Sequence, residues 1–324
     1  MTTFKPCYVW PNKAFPFRLY LNDHNIRIFI LENLQHNFEW LLEYSKDFRS
    51  TDHFYVIIGC HYQDGLANEA SRMFDFLDLD RKRFTILCND LREEFLFNKY
   101  GFQCRLVNQN AWLDENLVMK PKLLDKKYDA IYVARLIALK RHELCAKVSN
   151  LALVAGGSFG AEEAKFIPPY LYLNDSELTP SDVCSKINEA YCGLILSDVE
   201  GASFASSEYL LCGIPVVSTH SEGGRDAWYD DYNSLVVEAN VDAVYEAVMK
   251  FKESPRDPMK IRNDHISRAL NYRERFIGLL SETLSAVGVD YINAKLFYEK
   301  NFYHKMRVSH TPDLEKIFRT IDFN

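Results

Sequence analysis

Two glutamates, Glu200 and Glu208, lie eight positions apart in Ser197–Val217, SDVEGASFASSEYLLCGIPVV. The apolar runs GLIL before them and CGIPVV after them read as buried strands. Glu200 therefore falls in a loop leaving a strand, and Glu208 inside the helix that follows. A helix that starts there points unpaired N–H groups and the positive end of its dipole past the strand end, where an anion is favoured. Ser203, Ala205, Ser206 and Ser207 are small enough to let such an anion reach the main chain. Arg135 and Lys140 follow another apolar run, Tyr128–Ala134, and bring a guanidinium and an ammonium to a strand end. Cations and helix N–H groups can stabilise a departing anion, while carboxylates accept hydroxyl hydrogen bonds. Taken one at a time, the glutamates also fit a helix cap with solvated carboxylates, and the cations fit an ordinary surface.

Elements of a particular kind must position these groups. Short apolar runs alternate with amphipathic segments of helical length, the pattern of βα units around parallel sheets, so the fold class is α/β. In the first half, strands are expected at Ile26–Leu31, Phe54–Cys60, Phe84–Cys88 and Cys104–Val107. Helices are expected at Asn37–Phe48, Ala67–Leu77 and Leu91–Tyr100. A polar stretch over 108–127 precedes a fresh start at Tyr128–Ala134. Beyond it the pattern predicts helices at Lys140–Asn150, Pro180–Ala190, Phe204–Leu211 and Val241–Lys252. The strands there are Leu151–Ala155, Gly193–Leu196, Pro215–Ser218 and Ser234–Glu238, and Pro258–Asn324 reads as a mostly helical tail split near Gly288. The expected organisation is an N-terminal domain 1–121, a second domain 122–285 and a helical tail 286–324 crossing back to the first. In open α/β sheets ligands bind beyond the carboxyl ends of the strands, so the loops there and the cleft between the domains are where chemistry is expected.

Composition narrows the function classes. With 38 Lys and Arg against 45 Asp and Glu, the net charge of −7 disfavours bulk binding to nucleic acid. Eight cysteines without a C-x-x-C, mostly in apolar runs, fit reduced buried thiols rather than a disulfide frame or zinc site. No apolar leader and no stretch of about 18 apolar residues is seen, so a soluble, cytoplasmic protein is expected. Lys295, Lys300, Lys305 and Arg307 leave room for a peripheral contact with a membrane.

The segment around the two glutamates resembles the E-x7-E signature, roughly EGFGLPLLEAMACGVPVV, of retaining glycosyltransferases of family 4 with the GT-B fold. Glu200, Gly201, Glu208 and Cys212–Val217 match its first acid, glycine, second acid and closing run. The likeness continues through Ser218–Val237, and upstream YVARLIALK (Tyr132–Lys140) and LALVAGG (Leu151–Gly157) resemble the family's YVGRLxxxKG and LxIVGxG segments in the right order. The resemblance implies two Rossmann-like domains facing an interdomain cleft, an acceptor domain followed by a nucleotide-sugar donor domain. It implies same-face transfer from a nucleoside-diphosphate sugar, a UDP-sugar ahead of a GDP-sugar, to a glycan or lipid-linked glycan hydroxyl, as in polysaccharide biosynthesis. Arg135 and Lys140 would clamp the pyrophosphate with N–H groups near Phe204 and Ala205. Glu208 would hold ribose hydroxyls, and Glu200 the sugar. Gly201, Ser203 and Gly157 would line the donor site, with Gly224 and Asp226 near the sugar and His61 hydrogen-bonding it. No metal and no cofactor are implied. Asp78-Leu79-Asp80 has a D-x-D pattern but precedes Arg81-Lys82-Arg83 and reads as a solvated turn.

Three features depart from the family. Ala134 and Ser203 stand where glycines are usual, and the N-terminal domain lacks the glycine-rich acceptor loop, whose place Phe15-Pro16-Phe17-Arg18 would take. Two alternatives follow: a sugar-nucleotide epimerase or phosphorylase on the same architecture, and a non-catalytic nucleotide-sugar-binding module partnering a catalytic subunit. The remaining histidines show no paired metal spacing and are expected mostly at the surface.

Overall fold

The computed structural model describes residues 17–59, 65–156 and 166–306, and the backbone of 7–9. The chain divides into two units, Met1–Trp112 with Leu270–Asn324, and Leu113–Ala269.

In the first unit, β1 (Cys7–Val9), β2 (Phe17–Asn22), β3 (Arg27–Leu31), β4 (Asp52–Ile57), β5 (Phe84–Cys88) and β6 (Gln103–Leu106) lie side by side in sequence order. The β1–β2 and β2–β3 pairs are antiparallel and the rest parallel. Every residue of β3 and β5 is buried, as a parallel strand covered on both faces requires. Alternate residues Phe29, Leu31, Phe54, Val56, Phe84 and Ile86 share a core with apolar side chains of α1 (Leu34–Tyr44), α2 (Leu66–Phe76) and α3 (Leu91–Lys99). Intervening residues meet the chain's last helices: Tyr20 and Tyr55 pack edge-on against Phe276, and the Tyr55 hydroxyl donates to Thr283 Oγ1 at 2.8 Å. Phe17 and Arg18 do not form a loop. They begin β2, fully buried, with Arg18 paired to Glu32 at 2.8 Å. The sequence pattern hid this strand because its return turn is made by Asp23, whose carboxylate accepts from Asn25 N–H, rather than by a Gly or Pro.

The second unit is entirely parallel. From β7 (Tyr128–Val133) the chain moves outward through β8 (Leu151–Val154) and β9 (Tyr172–Leu173). It then passes through α4 (Pro180–Asn188) to β10 (Ala190–Ile195) on the other side of β7. The order continues through α5 (Phe204–Leu211), β11 (Val216–Thr219), β12 (Ser234–Val237) and α6 (Val241–Glu253). The spatial order β12-β11-β10-β7-β8-β9 therefore reverses at the β7–β10 pair. α6 closes one face through Val244, Val248 and Phe251. On the other, Tyr209 of α5 lies over Gly193 of β10, its hydroxyl accepting the Val133 N–H at 2.7 Å. Helix α7 (Pro258–Ala286) begins in this unit and ends in the first, followed by α8 (Ala294–Lys300). Among the described residues no helix is long and apolar enough to cross a membrane.

The helix expected over Lys140–Asn150 is absent. Two 3-10 turns, Ala138–Lys140 and His142–Cys145, flank Arg141, whose φ of 47° is left-handed. Tertiary bonds override local helix propensity here: Arg141 Nε donates to Leu196 O at 2.6 Å and Nη2 to Thr219 Oγ1 at 2.7 Å.

The contact between Tyr209 and Gly193 gives a direct test of this packing. A Cβ at Gly193 would stand 2.2 Å from the Tyr209 ring. Gly193→Ala is expected to lower the unfolding free energy by about 2–3 kcal/mol in chemical denaturation, the usual cost of overpacking.

Candidate functional site

The reversal of strand order at β7 and β10 opens the sheet at their carboxyl ends, where ligands of doubly wound folds bind. Arg135 and Lys140 follow β7, and Glu200 follows β10. Lys140 Nζ donates to Glu200 Oε1 at 2.7 Å, and Ser197 Oγ donates to Glu200 Oε2 at 2.5 Å, so both carboxylate oxygens are held. The two paired side chains are only 14% and 11% exposed, which separates this ion pair from a solvated surface contact. Arg135 is exposed, with no side-chain hydrogen bond or ion pair among the described residues.

The loops around the pair are braced by groups the motif alone does not announce. Tyr132 Oη donates to the Lys140 carbonyl at 2.6 Å and accepts from Leu196 N–H at 3.3 Å, tying the lysine turn to the end of β10. Arg225 is fully buried, and its guanidinium donates to the carbonyls of Ser197 at 2.8 Å and Thr219 at 2.5 Å. With Arg141 on Leu196 O, two arginines fasten the exits of β10 and β11. Arginine suits this because its charge spreads over several donors in a planar fork. The Glu200 loop is also sewn to the strand beyond it: Glu200 N–H donates to Glu222 O at 2.9 Å, and Glu222 N–H to Asp198 O at 2.8 Å. Gly223, at φ 110°, sits so close that a Cβ there would lie 2.0 Å from the Glu200 carbonyl oxygen. Only glycine combines that approach with that backbone.

Helix α5 starts at Phe204 with Ser203 as its cap residue, and the Ser203 side chain makes no capping hydrogen bond. Ala205 sits in the first turn, and the next residue is tied down by a 2.8 Å hydrogen bond from Ser206 Oγ to Tyr229 Oη. Burial pushes the Tyr229 phenol up to about 12, so it stays neutral. Glu208 lies in the middle of α5 and is mostly buried, as are Gly201 and Ser203. Gly224 is buried in a 3-10 turn, Gly224–Trp228, and Asp226 accepts from Arg225 Nε at 2.8 Å. His61 and Gly157 lie outside the described residues. Among the described residues no group of three or more His, Cys, Asp or Glu side chains is placed to hold a metal ion.

His142 departs from its expected surface position, as does His265; each is 1% exposed. The His142 ring lies 4.8 Å from the Tyr132 ring, and neither nitrogen has a hydrogen-bond partner among the described residues. Burial, reinforced by the Lys140 charge, lowers its pKa to about 4. A neutral histidine thus packs behind the lysine turn. A histidine two residues from the lysine was visible in the sequence; its burial was not, because the segment reads as an exposed amphipathic helix.

No protein-family model and no curated protein sequence matches the chain. Solved structures do share its fold. HepE from Anabaena in complex with UDP aligns with a TM-score of 0.53 at 13% identity, over 71% of this chain and 72% of that one. Sucrose-phosphate synthase from Thermosynechococcus elongatus gives 0.52 at 13% identity, over 84% and 73%. A variant of TarM from S. aureus, in complex with fondaparinux, alpha-GlcNAc-glycerol and UDP, gives 0.51 at 13% identity over 71% of this chain. The chain spans about half of that TarM chain, 51%. These are GT-B glycosyltransferases, and the fold of the chain is theirs.

The buried neutral His142 gives a stability prediction with a definite sign. Its folded pKa of about 4 lies below the ordinary 6.5, so as pH falls the unfolded chain takes up the proton first. His142 costs nothing above about pH 6.5, and stability falls by roughly 3 kcal/mol between there and about pH 4. His142→Leu should remove that part of the slope when unfolding free energy is measured across this range. An unchanged slope would show that the imidazole is protonated in the fold.

Proposed function

We propose that the chain is a retaining glycosyltransferase that moves a sugar from a nucleoside-diphosphate sugar, a UDP-sugar in preference to a GDP-sugar, to a hydroxyl of a glycan or lipid-linked glycan acceptor. The observation that carries the reading is the pairing of Lys140 with Glu200 at the strand-order reversal, with Glu200 in the loop that leads into α5. The GT-B fold adds support, since its structural neighbours include proteins solved with UDP.

In this reading Arg135 and Lys140 bind the diphosphate together with the first N–H groups of α5 at Phe204 and Ala205. Glu208 accepts the ribose hydroxyls. Glu200 accepts hydroxyls of the sugar, with Gly201 and Ser203 leaving space and Gly224 and Asp226 bordering it. His61 and Gly157 are assigned to the sugar and the donor loop respectively, and the first unit to the acceptor. The acceptor oxygen forms its bond to the anomeric carbon on the face from which the bond to the β-phosphate oxygen breaks. Its proton passes to the departing phosphate. The protein's cations and helix N–H groups meet the charge that develops there, so neither a metal nor a cofactor is assigned a role.

The test is turnover and binding with a panel of UDP-, GDP- and ADP-sugars. Release of nucleoside diphosphate with a glycosidic product of unchanged anomeric configuration by NMR is the expected result. Arg135→Ala should weaken UDP by about 1.5–3 kcal/mol and leave uridine untouched, whereas Glu208→Gln should weaken both, each losing a charged hydrogen bond. An epimerised donor would replace transfer by epimerisation. Tight donor binding without hydrolysis or transfer would make the chain a binding module.

A further inference from the structure

Four cationic side chains gather at the ends of β7, β10 and β11, and they are not equally available. Arg141 and Arg225 spend their guanidinium donors on Leu196 O, Thr219 Oγ1, Ser197 O and Thr219 O, bonds that hold the loops in place. Arg135 is exposed and has no side-chain partner among the described residues. Arg225 has in addition its chain neighbour Asp226, whereas the Lys140 ammonium is held at 2.7 Å by a carboxylate distant in sequence, Glu200, and donates to no carbonyl among the described residues that would fix it in place. That carboxylate is already satisfied on its other oxygen by Ser197.

The backbones on both sides of the pair are fixed. Tyr132 grips the Lys140 carbonyl at 2.6 Å, and the Glu200 main chain is bonded to Glu222 and pressed against Gly223. Any change of partner is therefore made by the lysine side chain, whose four-carbon stem is flexible and whose ammonium is a point charge without a preferred planar geometry.

We infer that Glu200 and the diphosphate of a bound nucleotide compete for Lys140, so that Glu200 holds the lysine between turnovers and recaptures it when the nucleotide leaves. The inference rests on the nucleotide-sugar reading above and adds a regulation of that site. When a complete donor binds, Lys140 turns to the pyrophosphate, and a sugar hydroxyl can donate to the Glu200 oxygen thus released. Both charges stay partnered. When only the nucleoside diphosphate remains after transfer, Glu200 has no hydroxyl to accept and draws Lys140 back. The spent nucleotide then loses its strongest point contact, which favours its release over that of intact donor. A carboxylate that merely touched the sugar would have no such effect on the bare nucleotide.

The experiment is a double-mutant cycle read by calorimetric titration. The probe is whichever of UDP, GDP, ADP and TDP binds the wild type most tightly. Lys140→Ala should weaken it. Glu200→Gln should tighten it, on the order of tenfold if an ion pair worth about 1.4 kcal/mol no longer opposes binding, and should slow its dissociation in stopped flow. In the Lys140→Ala background the same glutamate change should give a smaller gain, because there is no lysine left to free. Glu200→Asp draws the carboxylate back by one methylene while keeping its charge. It should tighten the probe by a smaller factor and serves if the glutamine variant does not fold. Equal or larger tightening by Glu200→Gln without Lys140 would mean simple charge repulsion and overturn the exchange. So would unchanged or weaker probe binding in Glu200→Gln with Lys140 present, while Lys140→Ala still weakens it. If no nucleoside diphosphate binds the wild type, or Lys140→Ala leaves binding unchanged, the nucleotide-sugar reading fails and takes the inference with it.

Discussion

Parallel pairing between β10 and β11 continues past the ends of both strands, and the candidate site depends on that continuation. Val199 and Glu222 form an isolated parallel bridge beyond the regular ladder, flanked by the hydrogen bonds Glu200 N–H to Glu222 O and Glu222 N–H to Asp198 O. A carboxylate in a free loop would sample many positions and pair weakly. Here the Glu200 main chain is held as firmly as a strand residue, and Gly223 permits it because no side chain intervenes between the two loops. Gly223 is thus a packing requirement of the acid rather than a generic turn residue.

The second constraint is electrostatic. Strand exits present carbonyl oxygens without ladder partners, and such groups are costly when buried. Arg141 and Arg225 satisfy four oxygen acceptors at the ends of β10 and β11, and in doing so place fixed positive charge beneath the site. Arg225 keeps a carboxylate neighbour, Asp226, so its own burial is compensated. The left-handed turn at Arg141 is the local cost of this arrangement. It also carries Lys140 toward Glu200 rather than along a helix axis.

Much of this was legible in residue patterns. Phe84–Cys88 and Phe204–Leu211 have the bounds that apolar runs and small-residue loops indicate, because their local propensity, periodicity and burial agree. The α/β alternation and the loops after β7 and β10 were equally readable. Most of what the residue pattern does not show is decided by contacts distant in sequence. Lys140–Asn150 has helical periodicity, yet Arg141 bonds to residues 55 and 78 positions away. Tyr132 falls inside the run Tyr128–Ala134 and Ser197 just past the run ending at Leu196, and nothing local marks one as the clamp on Lys140 and the other as the donor to Glu200. His142 looked solvated. Edge strand β9 is two residues long, too short for any period to appear. The site's charged groups were therefore visible by type and spacing, and the groups that immobilise them were not.

In the proposed function the β7–β10 strand ends, with Lys140, Arg135 and the start of α5, form a diphosphate site. A crystal structure with the tightest-binding nucleoside diphosphate tests it most directly. The β-phosphate is expected within hydrogen-bond distance of Lys140 Nζ and of the Phe204 or Ala205 N–H, with the lysine turned away from Glu200. A nucleotide bound elsewhere, or one seated here while Lys140 stays on Glu200 without touching phosphate, would contradict it.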